Sequence, residues 1–278
     1  MKRLLAIGGL MLSLTAYSQS YLIMGNGVVL TTDNAGFVYD LGNFILPYKI
    51  TLNGGQFFAE EGRLVTIDEK GYLYRKEEKI PSKIRGKGHN YLLSENGKLT
   101  TIDASGFMYE FDKESALKKA IAFGGNFFTV RPEEKKMSVD LYTLNRKGNY
   151  FKMNVPGLDA GSIAVMGGNY FQTNSGTMYT VTNEGQVFSK SEIKTGAIKK
   201  AGGNYFIDSN NAIYTISEDG YLLMPAIPSN LKVATVTKLG QNYFLDQDGK
   251  LFVINSAGEV NQREMKSHDL RDAKILSL

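Results

Sequence analysis

The chain has 278 residues, of which 42% are hydrophobic and 11% aromatic, and its 32 basic and 28 acidic residues leave a formal charge of +4. This composition supports a folded chain with a substantial core and excludes an intrinsically disordered one. The small basic excess does not favour a general nucleic-acid binder, which usually gathers its positive charge. Thirty glycines, six prolines and no cysteine favour short strands joined by tight turns, without disulfides.

Residues 1–18 have the pattern of a secretory signal peptide. Lys2 and Arg3 precede an apolar stretch, and Ala16-Tyr17-Ser18 supplies a small-x-small cleavage site. We predict cleavage after Ser18, which leaves residues 19–278 as a mature protein in the periplasm or secreted from a bacterial cell. An uncleaved N-terminal anchor is the alternative. No later segment has the roughly 20 apolar residues of a membrane-spanning helix, so the mature protein is not expected to span a membrane.

A Gly-Gly-Asn-Tyr-Phe phrase recurs along the rest of the chain at steps of 34 to 43 residues. Internal repetition of this period is the signature of repeat architectures. The exact and looser copies span residues 20–22, 54–58, 88–92, 124–128, 167–171, 202–206 and 240–244. The one long step is explained by extra residues between Arg131 and Ser138.

Each copy continues into a four-residue turn between two apolar runs. All seven turns begin with Asp, Asn, Ser or Thr, whose side chain can bond the turn backbone, and end with Gly, which accepts positive φ. They span residues 33–36, 68–71, 103–106, 145–148, 182–185, 217–220 and 255–258. This chemistry predicts a type I turn with a glycine bulge, which connects two strands of a hairpin.

Each repeat therefore holds about four short antiparallel strands. By this pattern the chain resembles the β-propeller superfamily across its mature length, although it lacks the Trp-Asp signature of WD repeats. The resemblance implies an all-β, seven-bladed propeller with four-stranded blades in one domain. A parallel β-solenoid is the alternative fold, but it usually has a shorter period and no hairpin turns. The superfamily hosts lyases, dehydrogenases, glycosidases and binding scaffolds, so the fold does not fix a function.

The two ends of the chain predict how the ring closes. The first repeat begins at Tyr21 and lacks the strand that precedes Gly-Gly in the others, whereas residues 273–278 form an extra apolar segment after the seventh repeat. We expect residues 273–278 to pair as the missing strand of the first blade, which would leave no open sheet edge.

No catalytic constellation or cofactor motif is present in the sequence, and no cofactor is predicted. His89 and His268 are the only histidines, and without a paired ligand pattern we expect neither a metal site nor a catalytic histidine. Residues 246–249 have the start of a calcium loop, but the following residues supply no further oxygen ligands, so a turn is favoured. Tyr170, Phe171, Phe188 and their equivalents are expected to be core.

One charge feature points to ligand binding. Arg85, Lys200 and Lys238 stand shortly before the first glycine position of three repeats. If that strand is innermost, the three cations converge on the axial channel and form a basic opening that attracts anions. The alternative is that their stems extend from strand ends into water.

These observations predict a non-catalytic binding scaffold of the bacterial periplasm or envelope, monomeric, that engages a protein or an envelope polymer through one face. The alternative is a hydrolase or lyase with its site at the axial opening. Acidic, His or Tyr side chains gathered at the axis from several blades would favour the enzyme, and a smooth or merely basic axis would favour the scaffold.

Overall fold

Seven small antiparallel sheets, one for each repeat, are arranged in a ring in the computed structural model of the chain. The predicted seven-bladed β-propeller is thus confirmed. The structure describes residues 20–43, 50–80, 83–111, 115–132, 138–159, 161–191, 193–265 and 268–273. The predicted signal peptide lies outside these residues, and among them no helix is long and apolar enough to cross a membrane.

The blades follow one another along the chain, and within each blade neighbouring strands are consecutive. Blade 1 has β1 (Tyr21–Ile23), β2 (Val28–Thr32) and β3 (Val38–Asn43); blade 2 has β4 (Ile50–Asn53), β5 (Phe57–Glu60), β6 (Arg63–Ile67) and β7 (Leu73–Lys79). Blade 3 has β8 (Ile84–Lys87), β9 (Tyr91–Ser94), β10 (Leu99–Ile102) and β11 (Met108–Phe111); blade 4 has β12 (Ala120–Phe123), β13 (Phe127–Val130), β14 (Asp140–Leu144) and β15 (Tyr150–Met153). Blade 5 has β16 (Ile163–Met166), β17 (Tyr170–Thr173), β18 (Met178–Val181) and β19 (Val187–Ser189). Blade 6 has β20 (Ile198–Ala201), β21 (Tyr205–Asp208), β22 (Ile213–Ile216) and β23 (Leu222–Leu223); blade 7 has β24 (Val236–Leu239), β25 (Tyr243–Asp246), β26 (Leu251–Ile254) and β27 (Val260–Arg263).

The repeated residues carry the structure that their chemistry predicts. The glycine that ends each of the seven turns has φ between +77° and +85°, a region that residues with a Cβ rarely adopt. The paired glycines allow neighbouring blades to touch, because a Cβ on Gly125 would lie 2.4 Å from the Gly168 backbone. The aromatic pair that follows is fully buried in most blades, as at Tyr170 and Phe171.

A closed ring of backbone hydrogen bonds joins all seven blades. In each turn the second residue donates its N–H to the carbonyl of the equivalent residue in the next blade, with N···O distances of 2.7 to 3.3 Å. We call these residues the turn ring: Asn34, Glu69, Ala104, Arg146, Asn183, Glu218 and Ser256. The last of them, Ser256, donates to Asn34 and so closes the circle.

Side chains repeat the same blade-to-blade connection. In six blades a buried threonine of the strand before the glycine-ended turn donates to the carbonyl of the next blade's turn glycine, as Thr101 Oγ1 does to Gly148 at 2.6 Å. In blade 7 the threonine is replaced by Val253, and Arg263 Nε donates to Gly36 at 2.7 Å instead. Buried tyrosines add a further link, such as Tyr243 Oη to the Tyr21 carbonyl at 2.7 Å.

The C-terminal segment reaches the position from which a first strand starts. Short 3₁₀ helices at Leu117–Lys119 and Val233–Thr235 lead into the first strands of blades 4 and 7, and Leu270–Asp272 is followed by Ala273 with the same extended backbone. Ala273 is 2% exposed and packs in a core cluster with Leu22. Residues 274–278 lie outside the described residues, so their pairing as the missing strand of blade 1 stays a prediction.

Replacing residues 274–278 with glycine and serine should lower the melting temperature by many degrees. If they fill the vacancy in blade 1, the change loses several buried apolar side chains at about 1.5–3 kcal/mol each, a large share of the roughly 5–15 kcal/mol typical of a domain. The same replacement at residues 133–137, the extra stretch of one repeat, serves as the control in a thermal unfolding experiment. Equal melting temperatures for the two variants would contradict closure by the C-terminus.

Thr101→Val should lower the free energy of unfolding by about 1–2 kcal/mol, because the Gly148 carbonyl loses its side-chain donor. Thr101→Ser keeps the hydroxyl and should recover much of the loss. Urea denaturation of the three proteins measures both effects. A Val variant as stable as the native chain would show that the threonine hydroxyls do not hold the blades together.

Candidate functional site: the axial cavity

A polar cavity of about 110 Å³ lies where the seven blades meet. Its lining comes from the turns between first and second strands and from the ends of the third strands, and includes all seven residues of the turn ring. The turns between first and second strands and the glycine-ended turns between third and fourth strands lie at the same end of each antiparallel sheet. The first-strand side chains, which the sequence pattern places at the axis, do not contribute to the lining of this cavity.

The third residue of each Gly-Gly-Asn phrase forms a second circle around the cavity. We call it the asparagine ring: Ser20, Gln56, Asn90, Asn126, Asn169, Asn204 and Asn242. The side-chain oxygens of Asn90, Asn126, Asn169 and Asn204 are buried and have no hydrogen-bond donor. Buried polar atoms almost always have a partner, and the four oxygens that lack one lie on consecutive blades, 3 to 6.

Asn242 shows how the chain satisfies the same oxygen elsewhere. Asn242 Oδ1 accepts from Thr32 Oγ1 at 2.5 Å, and its Nδ2 donates to the Asp33 carbonyl at 3.0 Å. Asn126 makes the equivalent Nδ2 bond, to the Thr182 carbonyl at 3.3 Å. In blade 5, however, the position equivalent to Thr32 is occupied by Val181, whose side chain has no hydrogen-bond donor.

Three charged residues of the turn ring line the cavity from alternate blades. Arg146 Nη2 contacts Glu69 Oε2 at 2.6 Å, which joins blade 4 to blade 2 across the small Ala104 of blade 3. The Glu218 side chain of blade 6 is half-buried, and its burial, together with the nearby Glu69 and Asp219 charges, raises its pKa although Arg146 lowers it. Asp68 also lines the cavity, but its carboxylate is bonded within its own turn, where it accepts from the N–H groups of Lys70 and Tyr72 and from the Tyr74 hydroxyl.

The three predicted basic residues do not line this cavity. Lys200 and Lys238 lie at equivalent positions of neighbouring blades. Lys200 Nζ donates to the carbonyl of Val236, the first residue of the next blade's first strand. Lys238 Nζ donates at 2.5 Å to the carbonyl of Ala273, which follows the last 3₁₀ helix.

Arg85 lies three blades away from Lys200. It is exposed and occupies the bulged residue of its strand, where the pairing skips from Ile84 to Gly86, so it is one residue out of register with the two lysines. Its Nη1 donates to the Ala120 carbonyl at 3.4 Å. An anion site at the three residues stays a prediction.

The remaining predicted positions have clear places in the structure. His89 lines the cavity, whereas His268 Nε2 lies 2.6 Å from Asp40 Oδ2 outside it. Asp246 Oδ1 accepts from the N–H groups of Asp248 and Lys250, which is the geometry of a turn. Among the described residues no group of three or more His, Cys, Asp or Glu could hold a metal ion.

The fourth strands carry exposed aromatic rings that the sequence pattern predicts to be core. Phe188 is 41% exposed, so its predicted burial is wrong. Such rings lie beside the turn glycine of the next blade, as Tyr39 does beside Gly71. The residue directly after that glycine is also aromatic in four blades. We call the six rings of blades 1 to 3 the aromatic belt: Phe37, Tyr39, Tyr72, Tyr74, Phe107 and Tyr109, each between 38% and 62% exposed.

Comparison with solved structures identifies distant likenesses. No family model matches the chain, and no curated protein matches it. A streptogramin B lyase structure is 14% identical over 90% of this chain and 96% of its own, with a TM-score of 0.36. An inactive virginiamycin B lyase from Staphylococcus aureus with quinupristin is also 14% identical, over 90% and 97%, with a TM-score of 0.36.

A third likeness is to the extracellular domain of a candidate one-component system from B. thetaiotaomicron. It is 13% identical over 92% of this chain and 39% of that chain, with a TM-score of 0.34.

Because burial raises the pKa of Glu218, the contribution of this residue to folding stability should fall as pH rises above about 4.5, the ordinary value for this carboxyl. The folded protein holds this proton more tightly than the unfolded chain, so unfolding releases protons in that range and is favoured by higher pH. Glu218→Gln should remove this component from denaturation curves measured between mildly acidic and neutral pH. The control is Glu110→Gln on β11. If the native and Glu218→Gln curves run parallel, the buried environment of Glu218 is refuted.

Proposed function

We propose that the protein is an exported, non-catalytic scaffold of the bacterial envelope that binds a protein or an envelope polymer on its turn face. The turn face is the side that carries the seven glycine-ended turns. The observation that carries the proposal is the aromatic belt. Monomeric soluble proteins rarely expose large contiguous apolar patches unless these bind something.

The belt is continuous from blade to blade. A Cβ on Gly71 would lie 3.1 Å from the Tyr39 ring, and one on Gly106 would lie 3.0 Å from the Tyr74 ring, so each ring adjoins the turn that presents the next. Lys76 Nζ lies 5.4 Å from the ring centroids of both Tyr74 and Phe107. Rings with adjacent cations suit a partner that offers flat apolar surface together with acceptor oxygens, such as a glycan strand or a peptide backbone.

The alternative function, a hydrolase or lyase at the axial opening, is favoured by one observation. Glu69, Arg146 and Glu218 come from three blades to one cavity, and a carboxyl with a raised pKa is suited to general acid catalysis. The Glu69 carboxylate is already paired with Arg146, which favours binding over proton transfer. Mass spectrometry of a bound compound distinguishes the two functions: a scaffold returns it unchanged, and an enzyme returns a product that Glu218→Gln fails to make.

The belt is tested with a variant that the chain itself suggests. Gln186 occupies the belt position in blade 5, so Phe37→Gln, Tyr72→Gln and Phe107→Gln together should fold normally and change the melting temperature by about 2 °C or less. We expect co-sedimentation with purified peptidoglycan, or capture of a partner by a photo-crosslinker at position 72, to fall at least about tenfold, because hot-spot aromatics dominate such interfaces.

Ile121→Gln provides the matched control, since Ile121 is an exposed apolar residue on a first strand. A crosslinker at position 121 should capture no partner. Capture that is equal at positions 72 and 121, or binding that survives the triple substitution, would contradict a binding role for the belt.

A further inference from the structure

We infer that the cleft between the Tyr39 and Tyr72 rings binds a lysine side chain of a partner protein. The cleft is part of the aromatic belt and lies at the boundary between blades 1 and 2. The inference rests on the proposed function, because it takes the turn face as the binding face, and it adds the class of partner and the chemical group that this part of the belt recognises.

Within the described residues, three boundaries between blades carry an aromatic ring on each side, one on a fourth strand and one after the next turn glycine. The pairs are Tyr39 with Tyr72, Tyr74 with Phe107, and Phe188 with Tyr221. The fourth-strand ring lies against the turn glycine alike in all three, since a Cβ on Gly71, Gly106 or Gly220 would be 3.1, 3.0 or 3.4 Å from its Cδ2 atom. The exposed fractions also match, at 38% and 57%, 40% and 62%, and 41% and 62%. The three clefts are therefore built alike.

The chain places a lysine of its own over both rings in two of these clefts. Lys76 Nζ lies 5.4 Å from the ring centroids of both Tyr74 and Phe107. Lys190 Nζ lies 5.4 and 5.7 Å from the two centroids of the cleft between blades 5 and 6. An ammonium within about 6 Å of a ring centroid is attracted by the negative face of the ring. Two copies within one molecule thus show that a cleft of this construction accommodates a lysine ammonium.

The cleft between blades 1 and 2 has no lysine of its own. Each resident lysine stands two residues after the fourth-strand ring of its cleft, and Leu41 occupies that position in blade 1. In the part of the chain that the structure describes, no lysine or arginine lies over the ring of Tyr39 or Tyr72, including Lys70, two residues before Tyr72. This cleft therefore offers a cation the same two ring faces, which no cation of the described chain covers.

A carboxylate adds to the attraction of this cleft for a cation. Tyr39 Oη donates to Asp33 Oδ2 at 2.8 Å. The same bond joins Tyr74 Oη to Asp68 Oδ2 at 3.0 Å in a cleft that holds a lysine. The hydrogen bond to Asp33 is the main cause of the raised pKa of Tyr39, to which the nearby Tyr72 also contributes, so the phenol keeps its proton and the negative charge stays on the carboxylate. The bond also fixes the ring in advance, which lowers the entropy cost of binding.

The exposure of the cleft indicates that its ligand is carried by a larger partner. A cation–π contact at an exposed site is too weak to retain a free amine, whereas a lysine on a polypeptide that covers the neighbouring belt rings binds together with those contacts. The internal occupants favour lysine over arginine. Both two-ring clefts hold a lysine, and Arg263 lies over the single Phe37 ring while its Nε donates to Gly36.

NMR titration of the mature protein, labelled at its tyrosine rings, tests the inference with a glycine-flanked lysine peptide as the probe. We expect weak but saturable shifts of the Tyr39 and Tyr72 ring signals. The matched peptide with norleucine has the same stem without the charge. It should bind at least about fivefold more weakly, the factor expected for loss of two exposed cation–π contacts.

Two variants exchange the patterns that the repeats contain. Leu41→Lys gives the first cleft the lysine of the other two, so the probe should no longer shift Tyr39 and Tyr72. Lys190→Leu gives the cleft between blades 5 and 6 the residue of blade 1, so the probe should gain a second site and shift Tyr221. Leu41→Met adds no charge and serves as the control, which should bind the probe as the native chain does.

Failure of this inference can be distinguished from failure of the proposed function. Phe107→Gln removes a belt ring outside the cleft, so it should weaken binding of the belt's partner and leave the probe shifts of Tyr39 and Tyr72 unchanged. A belt that binds its partner but gives no probe shift contradicts this inference alone. A probe that binds while the triple belt variant keeps its partner contradicts the belt proposal alone.

Three results would overturn the inference: no saturable shift of either ring, equal binding of the norleucine peptide, or unchanged binding in Leu41→Lys together with no second site in Lys190→Leu. An equal or stronger response to a chitosan oligosaccharide would place the ammonium on a glycan and overturn a polypeptide as its source.

Discussion

The closed circle of backbone hydrogen bonds through the turn ring is the constraint on which the rest of the molecule depends. Each link is a backbone hydrogen bond of 2.7 to 3.3 Å between equivalent residues of adjacent turns, so every blade must present its turn at the same height and angle. That requirement explains why all seven turns begin with a side chain that bonds its own backbone and end in a glycine with positive φ. It also explains the paired glycines, since the backbones of neighbouring blades come so close there that a Cβ would clash.

Because the backbone groups of the turn ring bond each blade to the next, only the side chains of these seven residues can differ from blade to blade. The chain places Glu69, Arg146 and Glu218 at three of these positions and the small Ala104 between two of them, so an ion pair can reach across a blade. The asparagine ring differs in that its residue type is nearly constant while its partners change. Thr32 Oγ1 donates to Asn242, whereas the side-chain oxygens of Asn90, Asn126, Asn169 and Asn204 have no donor. The character of the cavity thus arises from departures from the repeat.

This distinction decides how much the sequence can predict. The blades, the turns and the burial of pairs such as Tyr170 and Phe171 follow from local chemistry repeated seven times, and they are predictable. The cavity is not, because the second turn residue varies freely in sequence and faces the axis only when the ring is assembled. Grouping Arg85 with the two lysines is wrong on spacing alone, because Arg85 stands three residues before Gly88, whereas Lys200 and Lys238 stand two residues before Gly202 and Gly240. The hydrophobicity of Phe188 predicts that it is buried. Hydrophobicity does not show which strand of a blade is exposed to solvent, so that prediction is wrong.

A chain of repeats joined in a line has two terminal units that fray first, because each of them contacts one neighbour instead of two. The turn ring has no such unit: Ser256 is bonded to Asn34 as Asn34 is bonded to Glu69. Opening any one blade breaks two interfaces at once and leaves two new faces bare. Local opening should therefore be suppressed around the whole circle, and we expect the amide protons of the turn ring to be among the slowest in the molecule to exchange with solvent.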